Sequence, residues 1–173
     1  MQSIPPIPYR TYLHHESDGV LVYSANNVLL LVGVGQPVAN DHHMWFSALD
    51  ALYSRWPQGI GVLFCATSTA RPSDRANREL VMRNLRHPAV RAIGCAVLGS
   101  GFVPAAVRSV LSTVLIGLPA PSKVFGEVPP CAEWLVKQLT GLREVTVNHH
   151  ALARTVLEIV DGRLADQVRW TGT

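Results

Sequence analysis

The chain has 173 residues, 48% hydrophobic and only 16% charged, with 15 Lys+Arg against 12 Asp+Glu for a formal net charge of +3. That composition excludes a disordered chain, which combines low hydrophobicity with high net charge, and the length suits one domain with a self-sufficient core. The mild charge argues against a dedicated nucleic-acid binder, whose footprint is a strongly basic face. Three cysteines, Cys65, Cys95 and Cys131, are odd in number and lack CxxC spacing. They read as reduced, buried small hydrophobes. The first 18 residues carry no apolar segment behind a basic start, and the longest apolar run, 28–34, is far short of the ~20 residues that span a bilayer. A cytoplasmic location without a membrane span is expected.

Residues 1–17 read as a proline-rich arm. Pro5, Pro6 and Pro8 favour extended backbone, and Tyr9 and Tyr12 can anchor the arm on a surface. Two β-rich runs, 20–24 and 28–34, flank Asn26-Asn27, which tolerates the positive φ of a tight hairpin. The second run is apolar almost throughout, as for a strand covered on both faces. Trp45, Phe46, Leu49, Leu52, Tyr53 and Trp56 recur at helical spacing behind a cap at Asn40 or Asp41, and Pro57 and Gly59 end that helix.

Residues 61–66 (GVLFCA) read as a buried strand and 67–72 as a loop. Ser73 or Asp74 can cap a second helix that reaches Arg86, where His87-Pro88 stops it. A strand over 92–98 and a Gly99-Ser100-Gly101 turn lead to a third helix, opened by Pro104 and running to Ile116. Its spacing predicts a core stripe of Ala106, Val107, Val110, Leu111, Val114 and Leu115. Residues 122–125 (SKVF) form a short strand. Pro129-Pro130 opens a helix carrying Ala132, Leu135, Val136 and Leu139. Asn148 caps a last helix with Leu152, Val156, Ile159 and Val160 inside, ended by Gly162 and followed by a ragged tail in which Trp170 is a candidate anchor. This order predicts an α/β fold: a mostly parallel sheet of four to five strands with an N-terminal antiparallel hairpin, helices packed around it, and an extra C-terminal helix. The domain is expected over 18–140, with 141–173 as a helical extension.

The order and spacing of these runs resemble the STAS domain, the fold of the sporulation-type anti-sigma factor antagonists, and more closely its loose SpoIIAA-like relatives. The resemblance rests on VLLLVGVG before the Trp45 to Trp56 helix, on GVLFCA before an arginine-rich helix, on RAIGCAVL before FVPAAVRSVL, and on SKVF before the helix near Pro130. It is a resemblance of pattern over about residues 18–140. It implies a partner-binding module of bacterial signalling. In phosphorylatable STAS proteins the strand equivalent to GVLFCA runs into Asp-Ser-Ser/Thr-Gly, and the serine at the helix start is phosphorylated. Here Ala66-Thr67-Ser68-Thr69 lacks both the aspartate and the glycine. Ser68 is the nearest positional match and Ser73 the hydroxyl nearest the helix start, so these two are the candidate phosphorylation sites. Both also fit a plain role as loop or cap residues.

Six of the seven histidines come as adjacent pairs, His14-His15, His42-His43 and His149-His150. Imidazole ligates zinc and related metals, but neighbours on a helix point about 100° apart. A metal site would need pairs from different segments to converge, aided by Asp41 or Glu16. Exposed or capping histidines are the plainer reading. Gly99-Ser100-Gly101 before a helix offers N–H groups to an anion, but Pro104 breaks the dinucleotide fingerprint and no P-loop lysine is present. GxSxG is absent, and Cys131 at a helix start is read as a packing residue.

The densest charge cluster is Arg71, Arg75, Arg78, Arg83, Arg86 and Arg91, with only Asp74 and Glu79 between them and no interleaved aromatic residue. It suits an acidic or phosphorylated protein rather than nucleic acid. The expected function is a non-enzymatic interaction or scaffold module with Arg71, Arg75, Arg78 and Arg86 as partner-binding residues. Its partner would be a regulatory protein or a second copy of the chain, and no catalytic residue, metal or cofactor is expected. Two other classes stand beside it: a carrier holding a small molecule or lipid between helices, and a metal-dependent enzyme built on converging histidines.

Overall fold

The computed structural model describes residues 9–71, 74–142 and 147–162, and the backbone of 168 and 169. Its elements are β1 Thr11–Glu16, β2 Val20–Ala25, β3 Val28–Gly33, α1 Ala39–Arg55, β4 Ile60–Ala66, α2 Arg75–Leu85, β5 Val90–Val97, α3 Phe102–Leu115, β6 Ser122–Phe125, α4 Val128–Leu139, α5 His149–Val160 and β7 Val168–Arg169. They build one mixed sheet in the order β6-β5-β4-β3-β2-β1-β7. β1, β2 and β3 form an antiparallel meander, β3 to β6 run parallel, and β7 lies parallel to β1. Asn26, at φ 50°, makes the β2–β3 turn that an L-residue other than Asn or Asp adopts with difficulty.

Each crossover from β3 through β6 steps in the same direction along the sheet. Right-handed connections therefore put α1, α2 and α3 on one face. The cores agree with this. Trp45, Leu49 and Leu52 of α1, Leu85 of α2 and Leu115 of α3 join Val22, Leu29, Leu31 and Ile93 on one side. On the other, Ala132, Leu135 and Leu139 of α4 and Leu152, Val156 and Ile159 of α5 cover Val28, Leu30, Val32 and Leu63. Small residues under α4 let it settle close to the sheet. A Cβ on Gly61 would come within 2.7 Å of Leu139 Cδ1, and one on Gly94 within 2.7 Å of Cys131 Sγ.

The α/β class and the antiparallel start of the sheet follow the pattern in the sequence. Four expectations are corrected. Of the expected arm, residues 11–16 are not a surface wrapping: they form β1, paired along β2, with Leu13 buried in the α4–α5 core, while residues 1–8, with Pro5, Pro6 and Pro8, lie outside the described residues. Tyr9, just ahead of β1, donates its hydroxyl to Thr155 Oγ1 of α5 at 2.8 Å. The sheet has seven strands rather than four or five, because β1 and the two-residue β7 extend it beyond the β2–β3 hairpin. Val38, not Asn40 or Asp41, precedes the first turn of α1; Asp41 lies inside that turn and accepts the Val38 N–H at 2.8 Å. The fourth correction concerns α3. Of its predicted core stripe only Leu115 is buried, while Ala106, Val107, Val110 and Val114 are exposed and Leu111 is partly covered. The cause is the strand beneath it: β6 has four residues, lies at the sheet edge and is itself only partly buried. Trp170 and Ser73 lie outside the described residues.

Candidate functional site

The arginine cluster sits on α2. Asp74 caps this helix, its Oδ1 accepting the Asn77 N–H at 2.8 Å. Inside, only Leu85 is fully buried, with Leu80, Val81, Met82 and Asn84 half-buried; Arg75, Arg78, Arg83 and Arg86 are exposed. At about 100° per residue, positions 75, 78, 83 and 86 fall within roughly 140° of the helix circumference, so these four arginines share one outward arc. Arg75 Nε pairs with Glu79 Oε1 at 3.0 Å, a solvent-exposed i,i+4 contact. Among the described residues, Arg78, Arg83 and Arg86 enter no ion pair.

The loop between β4 and α2 leads into that arc. Thr67 Oγ1 donates to Gly33 O at 2.9 Å, Ala70 N–H to Thr67 O at 3.1 Å, and Arg71 N–H to Gly35 O at 2.8 Å. The loop is thus tied to the end of β3, with exposed Ser68 at its turn and the exposed Arg71 side chain beyond it. Ser68 precedes the α2 cap by six positions, and the cap is held by the Asp74 carboxylate. The structure therefore places Ser68 and Arg71 on one loop, and Arg75, Arg78 and Arg86 on the helix that follows.

A second polar group is one the sequence did not reveal. The β1–β2 register slips between Leu13 and His15, leaving His14 as an extra residue in a β-bulge. A bulge re-aims side chains, and here it turns both His14 and His15 toward α1. His14 Nε2 and the buried Ser24 Oγ are hydrogen-bonded at 2.8 Å, either atom able to donate. Burial pushes the His14 imidazole down to about 4. His15 Nε2 donates to Asp41 Oδ1 at 2.7 Å, while Asp41 Oδ2 accepts the Val38 N–H. Burial raises the Asp41 carboxyl, but the bonds from Val38, His15 and Ser17 outweigh it and hold the group below its ordinary value. His42 is buried beside these groups, and burial depresses its pKa against the pull of Asp41 and Asp74. This set ties β1, β2 and the start of α1 together. Through the bulge His15 thus reaches Asp41, the residue before His42-His43, whereas His149-His150 begin α5 on the opposite face. Among the described residues no three His, Cys, Asp or Glu side chains gather as a metal-holding group.

The remaining candidates resolve into structure. Cys65, Cys95 and Cys131 are buried free thiols; burial pushes Cys65 and Cys95 up to about 12 and Cys131 higher still. Gly99 and Gly101 adopt φ of 106° and 98°. Arg108 Nη1 reaches back from α3 to donate to Val97 O at 3.1 Å and Gly99 O at 3.4 Å, so this guanidinium holds the turn rather than facing outward. Among the described residues no helix is long and apolar enough to cross a membrane. No family model, curated protein or solved structure matches the chain.

Proposed function

We propose that the protein is a non-enzymatic, STAS-like interaction module of bacterial signalling that docks an acidic or phosphorylated protein through α2 and the loop before it. The observation that carries this reading is the outward arc of Arg75, Arg78, Arg83 and Arg86, continued by Arg71, with Glu79 as its one paired counter-charge. A planar guanidinium takes carboxylate or phosphate in two parallel hydrogen bonds. Several on one helix give both orientation and a steering field. The histidine–aspartate group is knit into the α1 junction, and the thiols are enclosed, so neither supplies an open reactive centre.

The test is capture of partners by the tagged 173-residue chain, read by mass spectrometry, beside the double variant Arg75→Glu with Arg78→Glu. A partner held in stoichiometric amount, weakened at least about tenfold by the charge reversal and more weakly bound at high salt, is expected. A partner retained unchanged by the variant, or no partner at all, overturns the reading.

A further inference from the structure

Helix α3 is the most apolar exposed surface in the described structure. Phe102, Val103, Val107, Val110, Val114 and Ile116 are between 40% and 86% exposed. Between 102 and 116 the sequence holds one charged residue, Arg108, and its guanidinium is turned inward onto Val97 O and Gly99 O. Two of the three hydroxyls on the helix are also satisfied locally: Ser112 Oγ donates to Arg108 O at 2.8 Å and Thr113 Oγ1 to Ser109 O at 3.2 Å. A surface with these properties can be covered by apolar groups without stranding a charge.

We propose that α3 is a self-association helix, and that its occupant is the α3 of a second copy of this chain. This proposal does not rest on the arginine reading of α2. Three observations select the second copy. First, Val103, Val107, Val110 and Val114 are spaced four, three and four residues apart, the repeat of a seam between paired helices, and β-branched residues suit such seams. Second, the exposed face is neutral. A two-fold axis sets each patch against itself, and no like charges on α3 meet when it does so. Third, the area is adequate. The six large side chains expose on the order of 600 Å², at the top of what an unpartnered monomer usually shows. With the small residues between them the patch approaches the ~800 Å² per partner of a standard interface. A lipid-docking helix would carry Trp, Phe or Leu outward with Lys or Arg along its border; α3 and its C-cap offer valines, one Phe, one Ile and no outward cation.

Nor is the adjacent sheet edge an alternative route to pairing. β6 is only four residues long and its exposed Lys123 lies over Phe125, features that blunt an edge strand.

The experiment is sedimentation velocity of the 173-residue chain from about 1 to 100 µM (the range in which a standard interface is read) at low and high salt, with Val110→Glu and Arg78→Glu beside it. The expected result is a dimer that persists at high salt, as an apolar interface should. Val110→Glu should weaken it by roughly a hundredfold, because the symmetry buries two charges at once. Its circular dichroism and melting in dilute solution should stay unchanged, since Val110 is exposed in the single chain. Arg78→Glu should leave the dimer intact, which separates this proposal from docking through α2. A monomer throughout the range overturns the proposal. So does a dimer that Val110→Glu leaves untouched, or a monomer that floats with phosphatidylcholine–phosphatidylglycerol vesicles and loses them on Val110→Glu.

Discussion

Replacing Asp41 tests the junction between β1 and α1 most directly. Its carboxylate is almost wholly buried and accepts bonds from His15 Nε2 at 2.7 Å and the Val38 N–H at 2.8 Å. Asp41→Ala removes a capping interaction of about 1 kcal/mol and a bond to a charged acceptor of about 1.5–3 kcal/mol. Because the two share one carboxylate they are not fully additive, and a loss of about 3 kcal/mol is expected. For a chain of this length, at about 2.1 cal/mol/K per residue of unfolding entropy, that lowers the melting temperature by about 8 °C. Asp41→Asn keeps an oxygen for Val38, and the other His15 tautomer can accept from its amide, so it should cost about 1 kcal/mol. Urea unfolding followed by circular dichroism measures both, and a cycle with His15→Ala isolates the pair. The carboxyl titrates below its ordinary value of 3.8 in the fold. Its contribution is therefore present above the unfolded value and lost as pH falls through the folded one. An Asp41→Ala chain within about 1 kcal/mol of the original would refute the claim that this residue fastens the strand to the helix.

Two further outcomes are expected. His14 holds its proton only below about 4 in the fold against 6.5 when free, so the unfolded chain binds the extra proton between these values. Stability is complete above 6.5 and falls as pH drops toward 4. Full burial would make that loss about 3 kcal/mol; partial exposure of the ring reduces it to about 1–2 kcal/mol. His14→Gln should flatten the change in urea midpoint between pH 7 and pH 5, and an unaltered slope would refute the assignment. On α3, Leu115→Ala should cost about 2–4 kcal/mol in dilute solution, whereas Val110→Ala should change stability by no more than about 0.5 kcal/mol. Equal losses at the two positions would mean that the valine stripe is core after all.

The parallel half of the fold is legible in the sequence because its strands are apolar on both faces and its helices end at Pro or Gly. β6 and the Asn148 cap of α5 fall where spacing and capping chemistry place them. β1 is hidden because its six residues, Thr-Tyr-Leu-His-His-Glu, bury only Leu13; its place depends on pairing with β2, a long-range fact that local polarity does not carry. The bulge that joins His14 and His15 on one side depends on the same register. In an unbulged strand the two would point to opposite faces, which is why two adjacent histidines reaching toward one helix cannot be read from their adjacency. The arginine arc, by contrast, is legible, since positions 75, 78, 83 and 86 need only the helix to be recognised.

Helix α3 shows where an argument from periodicity reverses its meaning. A stripe of valines on a helix says that the face is to be covered, and nothing in the spacing says by what. Burial by the same chain needs enough sheet beneath, and that supply runs down toward β6, the edge strand of the β3-to-β6 parallel run. α1 crosses between β3 and β4, which are six and seven residues long, and it buries Trp45, Leu49 and Leu52. α3 crosses to a four-residue edge strand and buries only its final residue, Leu115. The remaining apolar surface is left facing solvent on a helix whose single charge is already spent on the turn behind it. Apolar side chains belong inside is a one-way rule within a chain; it becomes informative again when the exposed ones are contiguous, neutral and regularly spaced. That combination is what a helix has when the missing half of its core belongs to another molecule.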